Sequence, residues 1–217
     1  MDTISSVFHF AVSQPLSATL LFLYRSIPFH DYGLAIILLT LLTKILLYPL
    51  NTQSIKAQQK LSELQPKIKE IQEKIKDKTE QARATMDLYK KEGVNPLASL
   101  LPILIQLPLL VGLYQLFVAA PPDSVRPLLF GMVNLQNSNL FLAAGAGLVQ
   151  FIQTKYATPT PKKGGTPSQA IPTPLLYFFP VFTFLILFSL PAALGLYWLC
   201  SSAFGIVQQW IVTKKPQ

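Results

Sequence analysis

Long apolar runs, separated by loops of uneven charge, constrain this chain more than any other feature. A helix needs about 20 mostly apolar residues to cross a bilayer. Five segments meet that demand: residues 31–50, 96–118, 138–155, 174–190 and 191–213. The third and fourth are short and suit a thin bilayer or local thinning. Composition agrees with the pattern. Of 217 residues, 51% are hydrophobic and only 13% charged, where a soluble domain carries about 25% charged residues. The fold class predicted is an all-α integral membrane protein with five transmembrane helices.

The first 30 residues read as a surface helix, with a sixth span as the alternative. The stretch PLSATLLFLYRSI, residues 15–27, is apolar but short, and extending it toward Met1 brings in Ser5, Ser6, His9, Ser13 and Gln14. It lacks the basic start and small-residue cleavage site of a signal peptide. An amphipathic helix lying on the outer membrane surface over 1–30 is the expectation.

Charge gives the orientation. The net charge is +8, and basic residues are concentrated in residues 51–95, which hold Lys56, Lys60, Lys67, Lys69, Lys74, Lys76, Lys78, Arg83, Lys90 and Lys91. The next loop, 119–137, holds Arg126 alone, while 156–173 holds Lys162 and Lys163, and the tail 214–217 holds Lys214 and Lys215. Basic residues mark the cytoplasmic side, so the N-terminus is placed outside and the C-terminus in the cytoplasm. The basic balance is thus a topology signal. No aromatic-basic pattern for nucleic-acid recognition accompanies it.

The basic segment 51–95 is itself helical. Leu61, Leu64, Ile68, Ile71 and Ile75 recur three or four residues apart, which draws one stripe down a helix. A second helix over 79–91 places Ala82, Met86 and Tyr89 on one side, with Gly93 as its stop. Together they make a cytoplasmic hairpin, with Pro66 as a point of kink or restart. Either a charged spacer or a docking surface has this pattern. The connection 156–173, rich in Pro, Gly and Thr, reads as a flexible linker.

Catalytic chemistry has little to build on. Both histidines, His9 and His30, lie in the N-terminal segment, and the single Cys200 sits in an apolar run. There is no cluster with metal-ligand spacing, no phosphate-cradling glycine loop and no nucleophile–base pair. Neither an enzyme nor a cofactor is expected.

Polar groups inside the spans remain. In the first, Thr40, Lys44, Tyr48 and Asn51 follow helical spacing. The second carries Ser99 and Gln106, the third Gln150 and Gln153, and the fifth Trp198, Ser202, Gly205 and Gln209. Small polar residues are explained by interhelical hydrogen bonds that hold a bundle together. The lysine is not, because a charge at mid-span costs about 3 kcal/mol. Lys44 precedes Asn51 by seven residues, which puts it about 10 Å from the cytoplasmic end at 1.5 Å per residue. It either snorkels to that interface or faces a wet cavity. The polar stripe around it tilts toward the cavity.

Several stretches together resemble the YidC/Oxa1/Alb3 family of membrane protein insertases. NPLASLLPILIQLPLLVGLYQLF (95–117) is similar to that family's second core span and LPAALGLYWLCSSAFGIVQQW (190–210) to its last. ELQPKIKEIQEKIKDK (63–78) resembles the start of its cytoplasmic hairpin, and YGLAIILLTLLTKILLYPL (32–50) its first core span. The resemblance runs in order over nearly the whole chain. It implies five core spans around a hydrophilic groove, open to cytoplasm and lipid and closed outside.

In that family a basic residue, usually arginine, occupies the groove from the first span. Lys44 matches its position but lacks the planar fork of a guanidinium. Gln153 or Gln150 matches the polar groove position of the third span, Trp198 the aromatic one of the fifth, and Ser202 a position often held by Asn or Thr. Thr40, Tyr48, Gln106 and Gln209 join them as groove candidates.

The resemblance implies a multi-pass protein of the bacterial cell membrane, in a compact form without a large external domain or a long basic tail. Its implied partners are nascent membrane proteins, the Sec translocon, the ribosome, targeting factors and the bilayer. Two other function classes fit the composition: a small-solute transporter or channel, against which the lack of an internal repeat counts, and an assembly scaffold for membrane complexes.

Overall fold

The structure is a computed structural model and describes residues 6–119, 122, 124–157 and 173–214. It is mostly helical. The expected linker over 156–173 and the end of the tail fall largely outside the described residues.

Helix α1 spans Gln14–Ser26 and follows a π-helical turn at His9–Ser13. It stops at Ile27, which is extended as a residue before proline must be. Helix α2 spans Tyr32–Leu46, and Asp31 caps it by accepting the Leu34 N–H at 2.8 Å. Helix α3, Tyr48–Lys74, starts after a break at Leu47. Pro49 explains the break: its ring excludes the carbonyl four residues earlier, and it suits only a first helical turn. The two helices are bent by 62°. The run of apolar residues that predicts one span to Leu50 therefore ends as a helix at Leu46. At Pro66, in contrast, the chain does not restart as a separate element, since α3 runs through it.

Helix α4, Lys78–Lys91, pairs with α3 as the hairpin. Asp77 caps it by accepting the N–H groups of Thr79 and Glu80, both at 2.8 Å. Gly93 ends it in the left-handed region, φ 63°, letting Val94 N–H return to Tyr89 O at 2.9 Å. Leu64, Ile68 and Val94 form the hairpin core with Leu61, Leu88 and Tyr89. Ile71 and Ile75 are half-buried beyond it. Met86, expected on the packed side, points to solvent, as does Ala82; Leu88 and Tyr89 take the inward face instead.

A 3-10 turn, Pro96–Leu100, leads into α5, Leu101–Val118. Two short antiparallel strands follow, β1 (Leu128–Leu129) and β2 (Val133–Asn134), with Leu128 opposite Asn134 and Leu129 opposite Val133. Helices α6 (Leu140–Ala157), α7 (Thr173–Phe188) and α8 (Ala192–Lys214) complete the bundle. The loop carrying β1 and β2 is fastened to the start of α8, where Ala193 and Ala192 N–H reach Leu135 O and Asn137 O, both at 2.9 Å. These are donors that the first turn of a helix cannot satisfy itself.

Helix α8 is the centre, packing against α2, α3, α5, α6 and α7. Large apolar side chains face outward along the other helices: Leu38, Leu42 and Ile45 on α2, Leu104, Leu107, Val111 and Tyr114 on α5, Phe178, Phe182 and Leu185 on α7. Such continuous apolar exposure belongs to a surface in contact with lipid.

By length and composition Ser6–Ser26 and Pro96–Val118 can each cross a membrane, and the bent pair α2–α3 is a third candidate. Five spans do not follow from these measures alone. Phe178–Phe188 is a shorter apolar helix, and α6 and α8 are diluted by glutamines and serines. The N-terminal helix, expected on the surface, is by the same measures long enough to span.

Candidate functional site

The bundle has two unlike halves. One end carries the β1–β2 loop; the other joins the α3–α4 hairpin. In α2 the buried positions are Tyr32, Gly33, Ala35, Ile36, Leu39 and Thr40, and none follows toward the hairpin. Among the described side chains of α5 they are Gly112, Leu113 and Phe117, all in its loop-end half. In α6 they are Ala143, Ala146 and Gly147, again in the loop-end half. The main core, with Leu20, Ile36, Leu113, Leu135, Leu194 and Tyr197, fills that end. Toward the hairpin none of the described residues of α2, α5 and α6 is buried, while α8 keeps Ser201, Ser202, Gln208 and Val212 inside.

The polar residues singled out by sequence lie where the packing loosens. Lys44 is half-buried one turn past the last buried residue of α2. Among the described residues no hydrogen bond or ion pair holds its ammonium group. Two rungs join α8 to its neighbours at adjacent positions. Gln106 Nε2 donates to Tyr197 Oη at 2.9 Å, and Trp198 Nε1 donates to Gln150 Oε1 at 2.6 Å. One turn lower, the Gln153 amide lies against Gly205, where any Cβ would collide with it. Gln209 Nε2 donates to Tyr156 O at 3.3 Å on the exposed rim of α6.

Some candidates fall elsewhere. Thr40 is fully buried and its hydroxyl donates to Ile36 O at 2.7 Å, so it belongs to the packed half and lines no open surface. Ser202 is buried on α8. Tyr48 and Asn51 stand on α3, beyond the break, so the spacing that joins them to Lys44 does not describe one helix face.

One residue was missed by sequence reasoning. Gln208, 3% exposed, donates through Nε2 to Tyr48 O at 2.9 Å and to Thr52 Oγ1 at 3.0 Å. It ties α8 to the first turn of α3, just past the break. Nearby, the buried Ser54 hydroxyl donates to Ser99 O at 3.2 Å and fixes α3 to the 3-10 turn before α5. Tyr197, Ser201, Gln208 and Val212 share the buried side of α8, but Trp198, Ser202 and Gln209 follow the same spacing, so the sequence carries no signal that chooses between the two glutamines.

Chemically, the hairpin-end half offers an unpaired cation, amide side chains and an indole between helices whose outer faces are apolar. Among the described residues it offers no cluster of metal-ligating groups.

Comparison with known proteins agrees in one direction. The family model described as 60Kd inner membrane protein matches residues 22–217. The membrane protein insertase YidC of Oceanobacillus iheyensis is 37% identical over 194 residues, covering 85% of this chain and 75% of that protein. The membrane protein insertase YidC of Francisella tularensis subsp. novicida is 39% identical over 191 residues, covering 86% of this chain. The match spans only 33% of the length of that second relative.

Proposed function

This chain belongs to the 60Kd inner membrane protein family, the family of the YidC insertases, and from that premise we propose that it inserts client membrane proteins through a hydrophilic groove. The observation that carries the groove is the packing asymmetry, tight at the loop end and open toward the hairpin. In this reading α2, α5, α6, α7 and α8 cross a bacterial cell membrane, with the basic hairpin in the cytoplasm and the β1–β2 loop outside. Helix α1 lies across the outer end. Its contacts support this: Ser13 donates to Gln115 on α5 at 3.0 Å, and Tyr24 Oη accepts the Arg126 N–H at 3.2 Å, so both ends of the helix meet the loop end.

A polar segment of a client is costly to move through hydrocarbon, because its backbone and charges go unpaired there. A wet recess that enters from the cytoplasm and ends at the packed half shortens the dry path. Lys44 stands at the inner limit of that recess and attracts acidic residues of the client's translocating tail. Gln153 and Gln209 supply hydrogen-bond partners along the way. The client's apolar helix then leaves sideways into lipid, its burial driving the step. Nascent membrane proteins are the clients; the exposed hairpin, with Met86 outward, is the element that meets them, the ribosome, targeting factors or the Sec translocon.

The reading is tested by reconstituting purified protein into liposomes and adding a translated single-span client. Protease protection of the client's tail in proteoliposomes, absent in empty liposomes and without nucleotide, is expected. Protection equal in both, or movement of a small solute without client insertion, overturns it.

A further inference from the structure

At the loop end three large apolar side chains have no protein to cover them. Phe29 is 96% exposed in the turn between α1 and α2, and Phe130 and Met132 are 64% and 85% exposed in the turn between β1 and β2. The backbone beneath them is unusual. Phe29 has φ 71°, His30 φ 50° and Phe130 φ 51°, a region that bulky residues seldom enter and that persists only where the surroundings enforce it. One side chain links the two turns. Asp31 Oδ1 accepts the Leu34 N–H at the start of α2, while Oδ2 accepts the Phe130 N–H. Met132 N–H closes the second turn on Leu129 O at 3.1 Å. Gly33 lets Leu129 press against the α2 backbone, where a Cβ would collide. The two turns are thus bound into one tip that moves with α2.

The depth of that tip follows from helix length. Helix α2 has 15 residues and rises about 22 Å, at 1.5 Å per residue. The hydrocarbon core of a bilayer is about 30 Å thick. With its far end at the polar first turn of α3, α2 is too short to carry the tip clear of the opposite interface. Helix α6, of 18 residues, reaches about 27 Å and gives the same limit.

We infer that Phe29, Phe130 and Met132 form a wedge seated in the outer lipid interface, at the level where acyl chains meet headgroups. The occupant of this face is lipid, because the tip is held at membrane depth and continues the apolar exterior of α2. The wedge sets how far the closed end sinks into the bilayer, and so fixes the height of the recess behind it. This rests on the membrane-spanning reading given above.

The test places a nitroxide label at Phe130→Cys, and separately at Phe29→Cys and Met132→Cys, in the full chain with Cys200→Ser, in phosphatidylcholine–phosphatidylglycerol vesicles. Accessibility to oxygen and to a water-soluble nickel complex is compared with labels at Asp87→Cys on the hairpin and Phe182→Cys on α7. Ratios at Met132 and at one or both phenylalanine positions that lie between those of Asp87 and Phe182, as for a site a few ångströms below the phosphates, are expected. Ratios matching Asp87 overturn the inference, as does exclusion of both reagents, which shows a second copy covering the tip. Met132→Cys does not alter a left-handed position and reads the depth even where the phenylalanine variants disturb their turns. Water-like ratios at Phe182 as well overturn the membrane-spanning reading and the wedge with it.

Discussion

Lys44 is the residue on which the electrostatic part of the proposal depends, and its setting separates charge from wetness. It sits where burial in α2 stops, with no partner among the described residues to neutralise it. Two unit charges about 4 Å apart attract by about 1 kcal/mol in water and about 4 kcal/mol at an effective dielectric of 20. Lys44→Glu therefore lowers insertion of a client with an acidic tail by about tenfold or more, Lys44→Ala lowers it less, and Lys44→Arg keeps it. The measurement is client insertion in insertase-depleted cells; equal insertion by the Ala and Glu variants removes the electrostatic role. The charge itself was legible in the sequence, as a lysine in an apolar run. Which neighbours share its surroundings was not. Thr40 follows the same spacing yet is sealed into the core, and Tyr48 lies beyond a break. Periodicity assumes a helix that continues, and burial varies along a helix as well as around it.

At the scale of elements, the break between α2 and α3 converts a membrane segment into the arm of the hairpin, and Gln208 braces it. Pro49 was the sequence signal for the break, masked by the apolar run that extends to Leu50. Gln208 was hidden because two adjacent glutamines point to different sides of α8 and only packing decides between them. Replacing Gln208 with Leu strands the Tyr48 carbonyl and the Thr52 hydroxyl at a cost of about 1–3 kcal/mol. The distance between spin labels on exposed Gln72 of α3 and exposed Thr213 of α8 then broadens; an unchanged distribution shows that the brace is dispensable. The hairpin was better legible, since its stripe of Leu61, Leu64 and Ile68 packs as the spacing requires. Its cross-link was not, because Lys67 and Glu92 are far apart in sequence and meet at 2.5 Å only when the hairpin closes. The Lys67 hydrogen bond and charge hold the Glu92 carboxyl below the usual glutamate range. A group with a depressed folded pKa stabilises above its unfolded value and loses that contribution as pH falls through the folded one. Exposure keeps the effect small. Acidification below the ordinary glutamate range thus lowers the protection factor of Val94 N–H, its exchange relative to the intrinsic rate at each pH, in the parent, and Glu92→Gln removes that pH dependence; persistence of the same dependence in the variant contradicts the link.

Across the whole molecule, the division into a packed half and a loose half joins these details. The apolar runs and the concentration of lysines in one loop were legible as a membrane bundle with a basic hairpin, because composition and periodicity report each helix separately. The division was not legible, since it depends on how burial changes along α2, α5 and α6 where they meet α8. Ala143, Ala146 and Gly147 pack closely at one end of α6, while Gln150 and Gln153 on the same helix meet α8 through hydrogen bonds and a glycine. In the proposed insertion, the closed loop end keeps the membrane sealed and the open hairpin end gives a polar chain a place to enter. The most direct test is site-specific photocrosslinking to a ribosome-stalled nascent membrane protein, with the reactive residue at Gln153 or Trp198 in the loose half and at Leu113 in the packed half. Crosslinks from Gln153 and Trp198 with none from Leu113 are predicted. Crosslinks from Leu113 alone, or equally from all three positions, contradict a recess that opens toward the hairpin.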